Sequence, residues 1–124
     1  MAKGIIITPD NRISEQEFPE PIYDTVGKVV GGWVEVVHPE GLAQAFCMCV
    51  DDAGLLRKKL EFNLIGSILY GTVVHGHPIV GTVVLMKEVG DGEDRHLAGL
   101  STEEARAVRN VAEFIIKTVN ARKR

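Results

Sequence analysis

Two hydrophobic periods run along this chain, and the change from one to the other marks its elements. Ile5-Ile6-Ile7-Thr8 is a continuous β-branched run that predicts a buried strand, and Pro9-Asp10-Asn11 predicts the turn after it. Arg12 to Phe18 alternates loosely and predicts an edge strand, which Pro19 and Pro21 close. Apolar residues at 22, 26, 29 and 30 fall at helical spacing, and Gly31-Gly32 supplies the stop of a short helix. Trp33 to Val37 predicts a strand, His38 to Gly41 a turn, and Leu42 to Val50 a second, longer strand. Asp51-Asp52-Ala53-Gly54 predicts a hairpin loop, with the chain returning as a strand over 55–60 that carries Arg57-Lys58-Lys59. Asn63 then caps a short helix over 64–70, which Gly71 ends. Ile79 to Met86 predicts the last strand, with Gly81 a bulge or close approach, and Val89 to Ala98 predicts a polar surface loop.

The final segment is a helix with a written start. Ser101-Thr102-Glu103-Glu104 is a capping box, in which Ser101 accepts from the amide of Glu104 and the Glu104 carboxylate reaches back. Leu100 is placed to staple onto Ala105. Apolar residues at 105, 108, 111, 112, 115 and 119 share one face, and Arg122-Lys123-Arg124 suits the C-terminal end of the dipole. The sum is an α+β fold in a single domain over 1–124: a mostly antiparallel sheet, short helices, and an amphipathic C-terminal helix over about 101–121 packed on it.

Composition narrows the class. The chain has 124 residues, 45% hydrophobic and 25% charged, which is normal for a globular domain with a real core. A net charge of −3 argues against general nucleic-acid binding. The apolar runs are too short for a signal-peptide core or a membrane span, so no membrane association is expected. Cys47 and Cys49, flanked by Phe46, Met48 and Val50, read as buried and reduced, which fits the cytoplasm. Ala43 to Val50 is apolar on both faces apart from Gln44. Helices on one side of the sheet would leave the other bare, which predicts a homo-oligomer, most simply a dimer.

No catalytic set emerges. His75-x-His77, His38, His96 and Cys47-x-Cys49 do not match the turn-type spacing of a zinc site. Cys47 lies in an apolar run, which raises a thiol pKa instead of activating it. Nucleophile-elbow, Walker and dinucleotide motifs are missing from the sequence, and the carboxylates cluster in turns and loops. Catalytic residues, metal and cofactor are therefore all read as none. What stands out is Arg57-Lys58-Lys59, the one internal basic cluster of an acidic chain. It reads either as a solvated edge guarded by lysines or as an anion site. In the second reading Asn63 opens a helix whose amides add to the site, and Trp33 or Tyr70 serves as a ring platform. His75 and His77 close over it from the long turn.

Gly31-Gly32-Trp33-Val34-Glu35-Val36-Val37 opens a wider pattern. It continues through Asp51-Asp52-Ala53-Gly54-Leu55-Leu56, through Asn63 and a segment ending Leu69-Tyr70-Gly71, to Pro78-Ile79-Val80-Gly81-Thr82-Val83-Val84. In that order the chain, over about residues 3 to 88, resembles a small domain-of-unknown-function family common in bacteriophages, plasmids and their Gram-positive hosts. Arg57-Lys58-Lys59 and the long Val73 to Pro78 connection depart from the commoner pattern. The resemblance implies a mobile-element origin and names no catalytic residue. It implies a phage-like, non-enzymatic protein of the host cytoplasm. The expected role is to sequester a small anionic metabolite or nucleotide, such as a nucleotide immune signal of the host, in an anti-defence role. A protein–protein interaction module blocking a host or phage protein is the alternative, and a small hydrolase a third.

Overall fold

The computed structural model describes residues 1–122; Lys123 and Arg124, read above as the basic end of the last helix, lie outside the described residues. The sheet is built from β1 (Ala2–Ile7), β2 (Ile13–Phe18), β3 (Val34–Val37), β4 (Phe46–Asp51), β5 (Val83–Val89) and β6 (His96–Ala98). Its order is β2-β1-β5-β4-β3, with β6 also on β5, and every pairing is antiparallel. Four helices accompany it: α1 (Ile22–Val30), α2 (Leu64–Tyr70), α3 (Thr72–His75) and α4 (Thr102–Arg122). The fold is α+β, as the pattern predicts.

Strand periodicity splits the core into two layers. Ile5, Ile7, Met48, Val50, Val83 and Leu85 pack against α2 and α4 through Ile65, Leu69, Ala105, Val108 and Ala112. Ile6, Cys47, Cys49, Val84 and Met86 face the other way and pack against Val26 and Val30 of α1, together with Phe18. The central strands read as unbroken apolar runs because both their faces are covered. This removes the ground for expecting a dimer through an uncovered face: α1 covers the Cys47–Cys49 side within the same chain.

The caps hold as read. Ser101 Oγ accepts from the Glu104 amide at 3.1 Å, and Glu104 Oε1 accepts from the Ser101 amide at 2.8 Å. Gly31 and Gly71 end α1 and α2 with φ of 96° and 90°, a region that L side chains avoid.

Four expectations differ from the structure. The 42–50 strand begins only at Phe46, because Gly41 donates to the Leu69 carbonyl at 2.9 Å and the chain turns at Ala43 before pairing. The 79–86 strand starts at Val83, after Gly81 (φ 76°) donates to the Glu61 carbonyl at 2.7 Å. The 89–98 loop contains β6, a strand too short for an alternation to show. The 55–60 strand is replaced by a 3₁₀ turn at Gly54–Leu56 and an irregular segment, whose one bridge is Phe62 to Val80. Asp51 to Gly54 is therefore not a hairpin loop.

Candidate functional site

One ion pair anchors the irregular segment 52–62 to the end of β4. Arg57 donates from Nε to Asp51 Oδ2 at 2.9 Å and from Nη2 to Asp51 Oδ1 at 3.2 Å. The same Nη2 reaches the Gly31 carbonyl at 3.3 Å, at the end of α1. A planar guanidinium suits this two-point grip on a carboxylate. The hydrogen bonds from Arg57 hold the Asp51 carboxyl below its usual range, and the same pair raises Arg57. Gly32 leaves room for the pair, since a Cβ there would lie 2.6 Å from Asp51 Oδ1 and 2.7 Å from Arg57 Nη2 and would displace one or both.

Two depressions lie on either side of the Arg57–Gly31 hydrogen bond. On one side Arg57 and Lys59 line a cleft of about 170 Å³ with Gly81, Thr82, Asp51 and Glu61. On the other, Trp33 and Lys28 line an open groove along the end of α1. Trp33 is 84% exposed, so it is not the core anchor its size would suggest. Lys58 is exposed and lines neither depression. Arg57 Nη1 makes no hydrogen bond among the described residues. The segment thus carries fixed donors in one depression and an open ring in the other, while Asp51 and Glu61 cancel part of the charge of the first.

The remaining candidates lie elsewhere. Asn63 is fully buried and saturated: Nδ2 donates to the Ile7 and Gly81 carbonyls at 3.0 and 2.8 Å, and Oδ1 accepts from the Gly66 amide at 2.8 Å. It caps α2 as read, but it presents nothing to a ligand. Tyr70, His75 and His77 form a group of their own. The Tyr70 hydroxyl is 3.0 Å from His77 Nε2, the Tyr70 ring stacks on His75 at 4.2 Å, and His75 Nε2 lies 3.4 Å from Glu40. None of these contacts reaches Trp33, Arg57, Lys58 or Lys59.

Sequence reasoning missed a third place. His38 Nε2 lies 2.7 Å from Glu88 Oε1 in a cleft of about 450 Å³ that Gln44, Phe46 and Arg95 also line. The two residues are 50 positions apart, and the β3–β4 and β4–β5 registers together bring them across β4 to each other. Lys28 carried no signal either, because its neighbour Trp33 lies beyond the helix stop. No group of three His, Cys, Asp or Glu side chains placed to hold a metal ion occurs among the described residues. No helix among them is long and apolar enough to cross a membrane.

No curated protein and no solved structure matches the chain. A family model does, over residues 2–112, from β1 through the first half of α4. That span takes in the sheet, both core layers and the Asp51–Arg57 corner, so the chain belongs to the DUF3846 family, a domain of unknown function.

Proposed function

We propose that this protein acts by binding rather than by catalysis, and that it holds a small anionic ligand with a ring, of nucleotide type, at the Gly31-Gly32 corner. The observation that carries this reading is a fixed guanidinium bonded to the chain two residues ahead of an exposed indole: Arg57 is gripped by Asp51 and Gly31, and Trp33, the one Trp of the chain, stands 84% exposed. The cleft of Arg57 and Lys59 suits a phosphate group, and the exposed indole of Trp33 offers a face on which a base can stack. Asp51 and Glu61 limit the net positive charge, so recognition rests on placed donors and not on bulk attraction. Sequestering a host nucleotide signal, in a phage or plasmid setting, is the role this reading assigns.

Trp33 reports on its own site. Its emission is titrated with a panel of mono-, di- and cyclic nucleotides, with chromatography of the ligand afterwards. One nucleotide class is expected to change the emission and to be recovered intact. Lys59→Glu is expected to weaken the response roughly tenfold, and Lys117→Glu on α4 to leave it unchanged. Silence across the panel, or turnover of the nucleotide, overturns the reading. A second reading, a protein–protein interaction module, draws on the exposed Leu60 and Phe62 beside the same corner. It predicts that a protein partner and no nucleotide moves the Trp33 emission.

A further inference from the structure

The two edges of the sheet are unlike. β2, at one edge, exposes Ser14, Glu15, Gln16 and Glu17, the kind of polar and charged row that keeps an edge from pairing. β3, at the other, carries Val34, Val36 and Val37, with Glu35 its one charge. Among the described residues, no backbone hydrogen bond outside the β3–β4 ladder reaches residues 34–37.

The surface beside β3 is apolar at both ends. At its start, the Asp52 amide donates to the Trp33 carbonyl at 2.9 Å and leads into Leu55 and Leu56, the latter 86% exposed. At its end, the Glu40 amide donates to the Tyr70 carbonyl at 3.3 Å, which sets α3 beside the strand with Val73 99% exposed and Val74 next to it. Both patches lie on the α2 side of the sheet. Leu55 and Leu56 share a cleft with Val37 and Val50, and α3 follows α2 directly.

We infer that β3 pairs antiparallel with the β3 of a second copy of this chain, about a twofold axis at Val36. Antiparallel pairing brings the start of one edge to the end of the other. It sets Leu55 and Leu56 of each copy toward the partner's Val73 and Val74, twice over. The charges match in the same sense, since Lys58 follows the first patch and Glu40 sits beside the second.

Face parity puts the axis on a residue of β3 and not between two, and charge and centring select Val36. Residues opposite one another in a continuous sheet share a face. Val34 and Val36 face α1, whereas Val37 faces the other layer and Glu35 shares its cleft. An axis at Glu35 would oppose two carboxylates. An axis at Val36 sets Glu35 against the partner's Val37. The inference is independent of the ligand reading, because it draws on the edge and on patches outside the Arg57–Lys59 cleft.

Light scattering at tens of micromolar is combined with a single-cysteine crosslink on the full chain. Cys49 pairs with Val36 across the β3–β4 ladder, so both crosslinking variants also carry Cys47→Ala and Cys49→Ala, and the added cysteine is the single thiol of each chain. The wild-type mass is expected at twice the 13.6 kDa of the chain. Mild oxidation is expected to link Val36→Cys into a covalent dimer and to leave Gln16→Cys, on the β2 edge, unlinked. Leu56→Glu and Val73→Glu, both at exposed positions, are expected to give single-chain mass with wild-type circular dichroism. Single-chain mass for the wild type overturns the inference. So does a dimer that links through Gln16→Cys and not Val36→Cys, or one that keeps its mass in both charge variants.

Discussion

Asn63 donates through Nδ2 to the carbonyl of Ile7 at 3.0 Å, across 56 positions of sequence, and so ties the entry of α2 to the end of β1. Its second donor bond holds Gly81 just ahead of β5, and its oxygen caps α2. One buried side chain thus fixes three segments.

Asn63→Ala is expected to cost about 2–4 kcal/mol, since it strands two buried carbonyls and an amide and removes a helix cap. The melting midpoint should fall by roughly 10 °C. Asn63→Asp keeps the cap but turns a carboxylate toward two carbonyl oxygens. It should be at least as unstable at neutral pH and recover in part on acidification, because the buried acid binds its proton more tightly folded than unfolded. Denaturant titrations at two pH values check both.

The Asp51–Arg57 pair and the α4 capping box should appear in the acid limb of stability. Hydrogen bonds from Arg57 lower Asp51, and the Ser101 amide followed by Lys87 lowers Glu104. A lowered carboxylate contributes fully above its ordinary value and loses that contribution as pH falls through the lowered one. The expected loss runs from about pH 5 downward and is shallow, because the Arg57 and Glu104 side chains meet solvent. Asp51→Asn should flatten part of the slope in urea titrations run across that range.

Removal of α4 should abolish the fold. Leu100, Ala105, Val108 and Ala112 are buried in the α2–α4 layer, and Val111, Ile115 and Ile116 pack at its margin. Each larger side chain contributes ~1.5–3 kcal/mol against a typical domain stability of about 5–15 kcal/mol. A chain ending at Gly99 should be insoluble or lack a cooperative melt, as calorimetry would show.

Native Cys47 and Cys49 should resist alkylation. Both are fully buried between α1 and the sheet, and the neighbouring Cys47 together with burial pushes the Cys49 thiol up. A thiol reacts as its thiolate. Iodoacetamide at mildly alkaline pH should leave the folded protein unmodified and label both residues in urea, as read by mass spectrometry.

The sequence by itself determined what nearest neighbours decide. The Ser101–Glu104 box, the Asn63 cap, the Gly31 and Gly71 stops, the α4 stripe and the Ile5–Ile7 run each depend on hydrogen bonds or periods within a few residues, so composition and spacing express them directly. Tertiary structure decided the rest. Asp51 to Gly54 reads as a hairpin loop and implies a returning strand over 55–60, yet those residues leave the sheet, where Arg57 pairs with Asp51 and Gly31. His38, just past β3, meets Glu88 on β5 only through the β3–β4 and β4–β5 registers together. The apolar second face of β4 needs no partner chain, because α1 returns to cover it. A local pattern states that a side chain must be buried or paired. Which distant residue satisfies it depends on register and crossover, and a single sequence carries no period that encodes either.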